Sequence, residues 1–314
     1  MPTRRTLLGQ AVAMATGGVF ATTAISSGAA ESQHATPTTV SFTLDTSILG
    51  TTGIPPTVAP RVATLMWRYD SLSLDDVATL SGRAQFDGAR VPAGHALARG
   101  SFDTDGLRTD LRENEPRFTA TASNAQSRSD RGAHTHSQES TTRREEVTRF
   151  VDQNAGETIE LSAGHVGVAR GNSGVASLQS QHAGLSPTGQ SATDDLAGVL
   201  GGNAVAIGTI APPVKRYLHR RLSHLSEAAH TLLDAIRGGG IGIRVGQSET
   251  TLRYALAVDE TATEADFDAI LDEFTSYSSV SIADTTVEQS RWVVDGTVST
   301  PSLWESHERF LGLR

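Results

Sequence analysis

Apolar and polar residues alternate along much of this chain, which is the pattern of half-buried β-strands. Between residues 77 and 86 small or apolar side chains fall at every second position, and the Asp87-Gly88 pair that follows is typical of a hairpin turn. The same criteria predict strands over residues 40–44, 61–69, 77–86, 90–102, 117–121, 158–162, 165–170, 175–179, 204–210, 241–245, 252–258, 280–288 and 291–298.

Two short segments carry helical spacing and an N-terminal capping residue. Asp103 is placed to cap a helix over residues 104–114, whose leucines recur four residues apart. Thr263 and Asp266 form a capping box for a helix that ends near residue 276.

The longest predicted helix runs over residues 214–237. Its leucines and alanines fall on one stripe, its charges lie opposite, and the Gly238-Gly239-Gly240 run is interpreted as its end. A further helix, capped by Ser191 or Thr193, is predicted to run through Leu200.

These elements indicate an α+β fold of antiparallel sheets with helices on one face. The order strand, turn, strand, short helix, strand occurs around residues 77–121 and again around 241–298, which suggests two related ββαβ modules. Coincidence is the alternative, because such units are common. The predicted organisation is a signal peptide (1–30), a Thr/Pro-rich tether (31–60), an N-terminal α+β module (61–121), a disordered insert (122–144), middle strands and a helix (145–211), and a C-terminal helix with a ββαββ module (212–314).

The N-terminus has the layout of an export signal. Thr3-Arg4-Arg5-Thr6 is followed by two leucines and then by a moderately apolar, uncharged stretch that ends in small residues at Ala30. This pattern resembles a twin-arginine (Tat) signal, with Gly9 where the family often has lysine. A transmembrane anchor is the alternative, although the glycines and threonines dilute the apolar stretch.

Charge and composition indicate which partners the protein is suited to bind and in which solvent it is suited to work. The chain has 26 basic and 35 acidic residues and a formal charge of −9, which disfavours nucleic acid as a partner. Lys215 is the only lysine. Abundant acid with so little lysine is typical of proteins from salt-loving organisms, although a GC-rich genome that prefers arginine codons explains it too. The absence of cysteine excludes disulfides and thiolate chemistry.

Taken together, the signal, the charge and the paired modules resemble Tat-exported, secreted proteins of haloarchaea. The resemblance covers the layout and no diagnostic motif. It implies a secreted or cell-surface location, the Tat translocase as a partner during export, and no stable membrane span after processing. It implies no particular cofactor.

Gly171-Asn172-Ser173-Gly174 invites comparison with the nucleophile motif of serine proteases. His165 and Asp152 lie nearby in the sequence, but a catalytic triad needs a base and an orienting group that the fold places together. A β-turn between two strands explains the same four residues. Ser173 and His165 are therefore only the candidates of an alternative, catalytic interpretation.

Neither a nucleotide motif nor a metal motif is recognisable, so we expect no cofactor and no metal. The glycines that begin at Gly238 follow a predicted helix rather than a strand, and Lys215 lacks the glycines of a phosphate-binding loop. On one continuous helix, His219 and His230 would lie about 16 Å apart and His224 would face another direction. His134-Thr135-His136 falls in the predicted insert. The acidic pairs Glu145-Glu146 and Asp194-Asp195 are explained by helix starts or solvated faces.

The function that these observations favour is a non-catalytic binding or assembly module, exported and acting at or outside the cell surface. An extracellular hydrolase, with a site assembled from dispersed residues, is the alternative. A deep cleft that joins a nucleophile to a base would favour the hydrolase.

Overall fold

The computed structural model describes residues 37–87, 90–123, 147–182, 195–223, 226–288 and 290–310. Within these residues the dominant feature is one antiparallel sheet of twelve strands. Its strands are β1 (Thr38–Asp45), β2 (Val77–Asp87), β3 (Arg90–Gly100), β4 (Thr119–Ser123), β5 (Val147–Asp152), β6 (Glu157–Ser162), β7 (His165–Arg170), β8 (Ala204–Thr209), β9 (Ile236–Val245), β10 (Glu249–Val258), β11 (Ser281–Glu288) and β12 (Arg291–Ser299).

The strand order across the sheet is β11-β12-β10-β9-β8-β1-β2-β3-β7-β6-β5-β4. Strands from the two suspected modules therefore belong to the same sheet, the first module toward one end and the second toward the other. β1 lies between them and pairs with β2 on one side and β8 on the other. This central strand joins the two halves of the sheet.

Residues 195–197 are helical, and eight α-helices have both ends inside the described residues. They are α1 (Leu49–Thr52), α2 (Ala59–Arg68), α3 (Thr104–Asn114), α4 (Gly171–His182), α5 (Pro212–Arg221), α6 (Glu227–Ala235), α7 (Glu264–Tyr277) and α8 (Leu303–Phe310).

Most helices pack on one face of the sheet, which confirms the predicted α+β class. α3 covers a cluster around Phe150 and Leu161, and α8 inserts Leu303 into a cluster around Ile241 and Leu252. α4 is an exception because it lies on the opposite face, where Leu178 packs on Leu97 and Ala169. Side chains alternate between the two faces along each strand, so these two sets of contacts belong to opposite sides.

The helix caps predicted at Asp103 and Thr263 are confirmed. Asp103 Oδ1 accepts a hydrogen bond of 3.0 Å from the backbone N–H of Gly106 at the start of α3. At the start of α7, Thr263 and Asp266 form the reciprocal capping box, with Thr263 Oγ1 accepting from the Asp266 N–H at 3.2 Å.

The strand predicted over residues 61–69 is wrong, because this segment is the helix α2. Pro60 occupies its first turn, where its missing N–H does no harm. Val58, Val62 and Leu65 recur at spacings of four and three, which places them on one side of a helix. The strand predicted over residues 40–44 is confirmed and is longer than expected, because residues 38–45 form the central strand β1.

The strand predicted over residues 175–179 is also wrong, because these residues belong to the helix α4. The Gly171–Gly174 segment is the first turn of α4 and not a turn between strands. Gly171 has a φ of +71°, which favours glycine. A Cβ on Gly174 would lie 2.2 Å from the carbonyl oxygen of Gly94, so only glycine lets α4 approach β3 this closely.

The single long helix predicted over residues 214–237 is two helices, and the triple glycine lies inside β9 rather than ending a helix. Ser226 begins the second helix, its Oγ accepting from the Ala229 N–H at 3.3 Å. The same hydroxyl donates to Glu273 on α7 at 2.7 Å. This anchored cap lets α6 begin as a separate helix after α5.

A candidate apolar ligand-binding site

A cavity of about 310 Å³ lies between the middle of the sheet and α2. Six neighbouring strands, from β9 across to β7, supply its floor. Its walls are almost entirely aliphatic. The floor side chains include Phe42, Leu44, Leu80, Ala96, Ala98, Val166, Val168, Ala204, Ala206, Ile241 and Ile243.

The central side chains of the cavity floor are small, so they leave open space beneath α2. Ala96 and Ala98 lie on β3, and Ala204 and Ala206 lie on β8. These two strands flank the pair β1–β2, so the alanines leave room on both sides of Phe42. The space between floor and cover therefore follows from side-chain volume in the sequence.

The cover of the cavity is α2. Val58, Val62, Leu65 and Met66 face the cavity from this helix and its N-cap. No residue of the helix itself is buried, although these side chains are the apolar side of an amphipathic helix. The opposite side of α2 carries Trp67, which is 84% exposed.

Both ends of the cover are fixed by polar contacts. Before α2, the carbonyl of Gly53 accepts a 3.1 Å hydrogen bond from Trp304 Nε1 on α8. After α2, Arg68 Nη2 donates to the carbonyl of Asn114 at 2.9 Å, and the Asn114 side-chain amide donates back to the Arg68 carbonyl at 2.9 Å. Hydrogen bonds therefore hold α2 in place over the cavity at both of its ends.

Hydroxyl groups on the cavity wall are engaged with the backbone. Thr46 Oγ1 donates to the carbonyls of Val77 and Ala78, the latter at 2.9 Å. Ser73 Oγ accepts a 3.2 Å hydrogen bond from the Asp75 N–H. Thr46 thus donates its proton to the backbone and Ser73 Oγ accepts from it, while the rest of the wall is almost entirely apolar.

Beyond the C-terminal end of α2 lies a buried charged cluster. Arg117 contacts three buried carboxylates, those of Glu115 at 3.1 Å, Asp152 at 3.3 Å and Glu157 at 3.1 Å. Arg68 also contacts Glu115, at 2.7 Å. Glu115 therefore links the cover helix to the cluster.

Two groups in and beside the cluster have shifted pKa values. Burial raises the pKa of Glu157 above its ordinary value, and the nearby Arg117 and Arg170 offset only part of this increase. Burial also raises the pKa of Tyr69, and the Glu115 carboxylate, which accepts a 3.2 Å hydrogen bond from the tyrosine hydroxyl, adds to this increase. The arrangement is that of a structural ion network, because each carboxylate contacts an arginine.

The structure does not bring Ser173 and His165 together. Ser173 is exposed in the first turn of α4, whereas His165 is buried at the far end of β7. Six residues of extended chain rise about 17 Å. His165 Nδ1 lies 2.6 Å from the Oγ of Ser162, across the turn between β6 and β7. Asp152 belongs to the Arg117 cluster.

The histidine spacing expected on one long helix is wrong. Because α5 and α6 are separate helices, the Nδ1 atoms of His219 and His230 lie only 2.8 Å apart, and the rings stack. His219 Nε2 donates to Asp234 at 2.7 Å. The carboxylate can only accept, so His219 Nδ1 accepts from His230 in the neutral pair. Within the described part of the chain, no group of three or more His, Cys, Asp or Glu side chains could hold a metal ion.

Several predicted features lie outside the described residues. These are the export signal with Arg4 and Arg5, the suggested caps Ser191 and Thr193, and the remaining histidines and acidic residues considered for chemistry, namely His134, His136, His224, Glu145, Glu146 and Asp194.

Sequence reasoning missed the cavity. One signal in the sequence could have indicated its cover. The apolar residues at positions 58, 62, 65 and 66 recur with helical spacing and do not alternate as in a strand. A second signal was the pairing of small residues on β3 and β8, but it becomes visible only once these strands are known to flank β1.

Comparisons with known proteins concern the fold alone. No protein-family model matches the chain, and no curated protein sequence matches it. The solved structure of crystal form III of TP0453 is similar, with a TM-score of 0.50 and 9% identity over 85% of this chain and 92% of that chain. Crystal form I of TP0453 gives a TM-score of 0.47 and 11% identity over 85% and 91%. In the described ranges, no helix is long and apolar enough to cross a membrane.

Proposed function

We propose that this protein is an exported, non-catalytic carrier that binds an aliphatic ligand in the cavity beneath α2. The observation that carries the proposal is the cavity itself, about 310 Å³ in volume and walled by aliphatic side chains. Ligand pockets range from about 300 to 1,000 Å³ and are mostly apolar. The volume therefore suits a small ligand or one chain of a larger one.

The wall chemistry favours hydrocarbon over a polar ligand. A polar group placed in this cavity would lose its hydrogen bonds to water, because the walls are almost entirely apolar and Thr46 donates its hydroxyl proton to the backbone. A methylene group moved there from water gains about 0.8 kcal/mol. An aliphatic chain is the ligand that gains most from such walls.

The exported location is supported by the N-terminal sequence. Arg4 and Arg5 precede an uncharged, moderately apolar stretch that ends in small residues, as in Tat signals. The acidic surface charge suits a salty medium. A carrier of this kind would act at or beyond the cell surface.

The binding proposal is tested by titrating the protein with n-alkanols of increasing length in a calorimeter. If the chain enters the cavity, affinity should rise about fourfold for each added methylene until the cavity is full. An affinity that does not depend on chain length, or no binding at all from octanol to dodecanol, would contradict the proposal.

A cavity-filling variant locates the binding site. Ala98→Trp places an indole in the cavity and should abolish alkanol binding. Ala63→Trp is the matched control, because Ala63 is exposed on α2 and does not line the cavity. Circular dichroism should show both variants folded. Equal binding by the two variants would place the ligand elsewhere.

Export is tested separately by replacing Arg4 and Arg5 with lysine. The twin arginines are essential to the proposed signal, so the secreted fraction of the protein should disappear. Unchanged secretion of the double variant would remove the Tat part of the proposal and leave the cavity part intact.

A further inference from the structure

Arg61 lies at the border of the cavity side of α2. It follows Val58 by three residues and precedes Leu65 by four, and both of these line the cavity. Residues three and four apart on a helix are neighbours, about 5–6 Å between their Cβ atoms. The long Arg61 side chain is therefore rooted beside the apolar stripe and is itself half-buried.

A second arginine on the same side of the helix has a different environment. Arg68 comes seven residues later, two turns along, and its guanidinium contacts Glu115 at 2.7 Å and the Asn114 carbonyl at 2.9 Å. The backbone N–H of Arg61 donates to the Val58 carbonyl at 2.9 Å, but its guanidinium forms neither a hydrogen bond nor an ion pair with any part of the described chain. The two arginines share one border, but of the two only Arg68 has its charge compensated by a residue that the structure describes.

We propose that the ligand is a single aliphatic chain ending in an anionic group, and that Arg61 binds this group at the edge of the cavity. The inference rests on the proposed function. A guanidinium keeps its charge at every relevant pH and presents paired N–H donors that match a carboxylate or a phosphate. The deeper walls of the cavity are almost entirely apolar and Thr46 donates its hydroxyl proton to the backbone, so the charged end stays at the edge.

The charge of the rest of the chain makes this arginine selective. Acidic residues outnumber basic ones by 35 to 26, so an anionic ligand is repelled by most of the surface. A local cation beside the cavity is then needed to hold it. A neutral chain of the same length would fill the cavity and gain nothing from Arg61.

The test compares three ligands with the same ten-carbon chain, decanoate, decanol and decylamine, by calorimetry on the full chain. Decanoate should bind about fivefold more tightly than decanol, and decylamine more weakly than both, because an exposed charge-assisted contact contributes modestly. The advantage of decanoate should shrink as salt is added. A comparison of decyl phosphate with decanoate distinguishes a phosphate head group from a carboxylate. The anion that binds more tightly at Arg61 identifies the head group.

Arg61→Gln should lower decanoate affinity to the level of decanol and leave decanol affinity unchanged. Unchanged decanol binding also shows that the variant is folded. The matched control is Arg244→Gln, which removes the same charge from an exposed site on β9 whose side chain points away from the cavity face. Arg61→Lys should retain part of the preference.

The outcomes separate this inference from the function on which it rests. If none of the three ten-carbon ligands binds, the carrier proposal fails and this one fails with it. If decanol binds and decanoate is no tighter, or if Arg61→Gln and Arg244→Gln affect decanoate equally, only the head-group inference is overturned.

Discussion

Two helices of nearly equal length lie on the same face of the sheet and differ in what they bury. α3 has 11 residues and buries Leu107 and Leu111, each only 4% exposed. α2 has 10 residues and buries none of them. Both helices are amphipathic, so the difference does not lie in their own pattern.

The difference lies in the size of the side chains beneath them. Under α3 the space is filled by Phe102, Phe118 and Phe150, which close a continuous core with the two leucines. Under α2 the strands present alanines at the corresponding level, and a cavity remains. An amphipathic helix over a sheet thus gives either a core or a binding site, depending on the volume of the side chains opposite it.

The largest effect should come from breaking the connection between the two regions. Glu115 follows α3 directly and bonds Arg68 of α2 and Arg117 of the buried cluster. Glu115→Ala would leave two arginines without this partner, and we expect a loss of about 3–5 kcal/mol in the free energy of unfolding. Urea denaturation measures it. A loss below about 1 kcal/mol would show that the network contributes little.

The comparison between the helices is tested by one leucine from each. Leu107→Ala on α3 removes buried methyl groups and should cost about 2–5 kcal/mol. Leu65→Ala on α2 removes half-buried atoms that face the cavity, and should cost under about 1 kcal/mol. Equal losses in urea denaturation would mean that α2 is packed as firmly as α3.

Filling the floor of the cavity should make the region under α2 more like the packed core under α3. Ala98→Leu adds apolar volume where the cavity is, and we expect about 0.5–2 kcal/mol of added stability together with weaker alkanol binding. Thermal unfolding and calorimetry check the two effects. A destabilised variant would indicate that the cavity has no room at Ala98.

The smallest effect concerns a third helix on the same face, α8. Burial lowers the pKa of His307, although its Nδ1 donates to the Leu303 carbonyl at 2.7 Å. Its Nε2 lies 2.8 Å from the hydroxyl of Tyr254 and accepts from it in the neutral form. Because the unfolded chain takes up the proton first, stability should fall as pH drops below about 6.5 and level off below the folded pKa.

This pH dependence is measured from urea midpoints at pH 7.5 and pH 5. His307→Gln cannot titrate, so it should lose less stability over that interval than the parent protein. If both lose the same amount, other groups account for the acid sensitivity.

Much of the sheet could be predicted from the sequence, because alternation and turn chemistry are local. The hairpin at Asp87 and the caps at Asp103 and Thr263 depend only on neighbouring residues, and they are confirmed. The fold class follows from the same local signals.

What could not be predicted depends on contacts between distant residues. The 214–237 pattern is continuous, and the second helix begins at Ser226, whose hydroxyl caps the helix locally and also bonds Glu273, 47 residues away. The segment 61–69 is too short for its periodicity alone to separate a strand from a helix. The cavity required knowing that the alanines of β3 and β8 lie on either side of β1 and β2.

The placement of β1 has a consequence for how the chain assembles. This strand pairs with β8, and the Ala211 N–H donates to Thr38 Oγ1 across 173 residues of sequence. Such long loops close slowly, so the centre of the sheet should be among the last parts to form. A chain shortened to begin at Thr46 would leave β2 and β8 as two raw edges facing each other, each able to recruit a strand from another molecule.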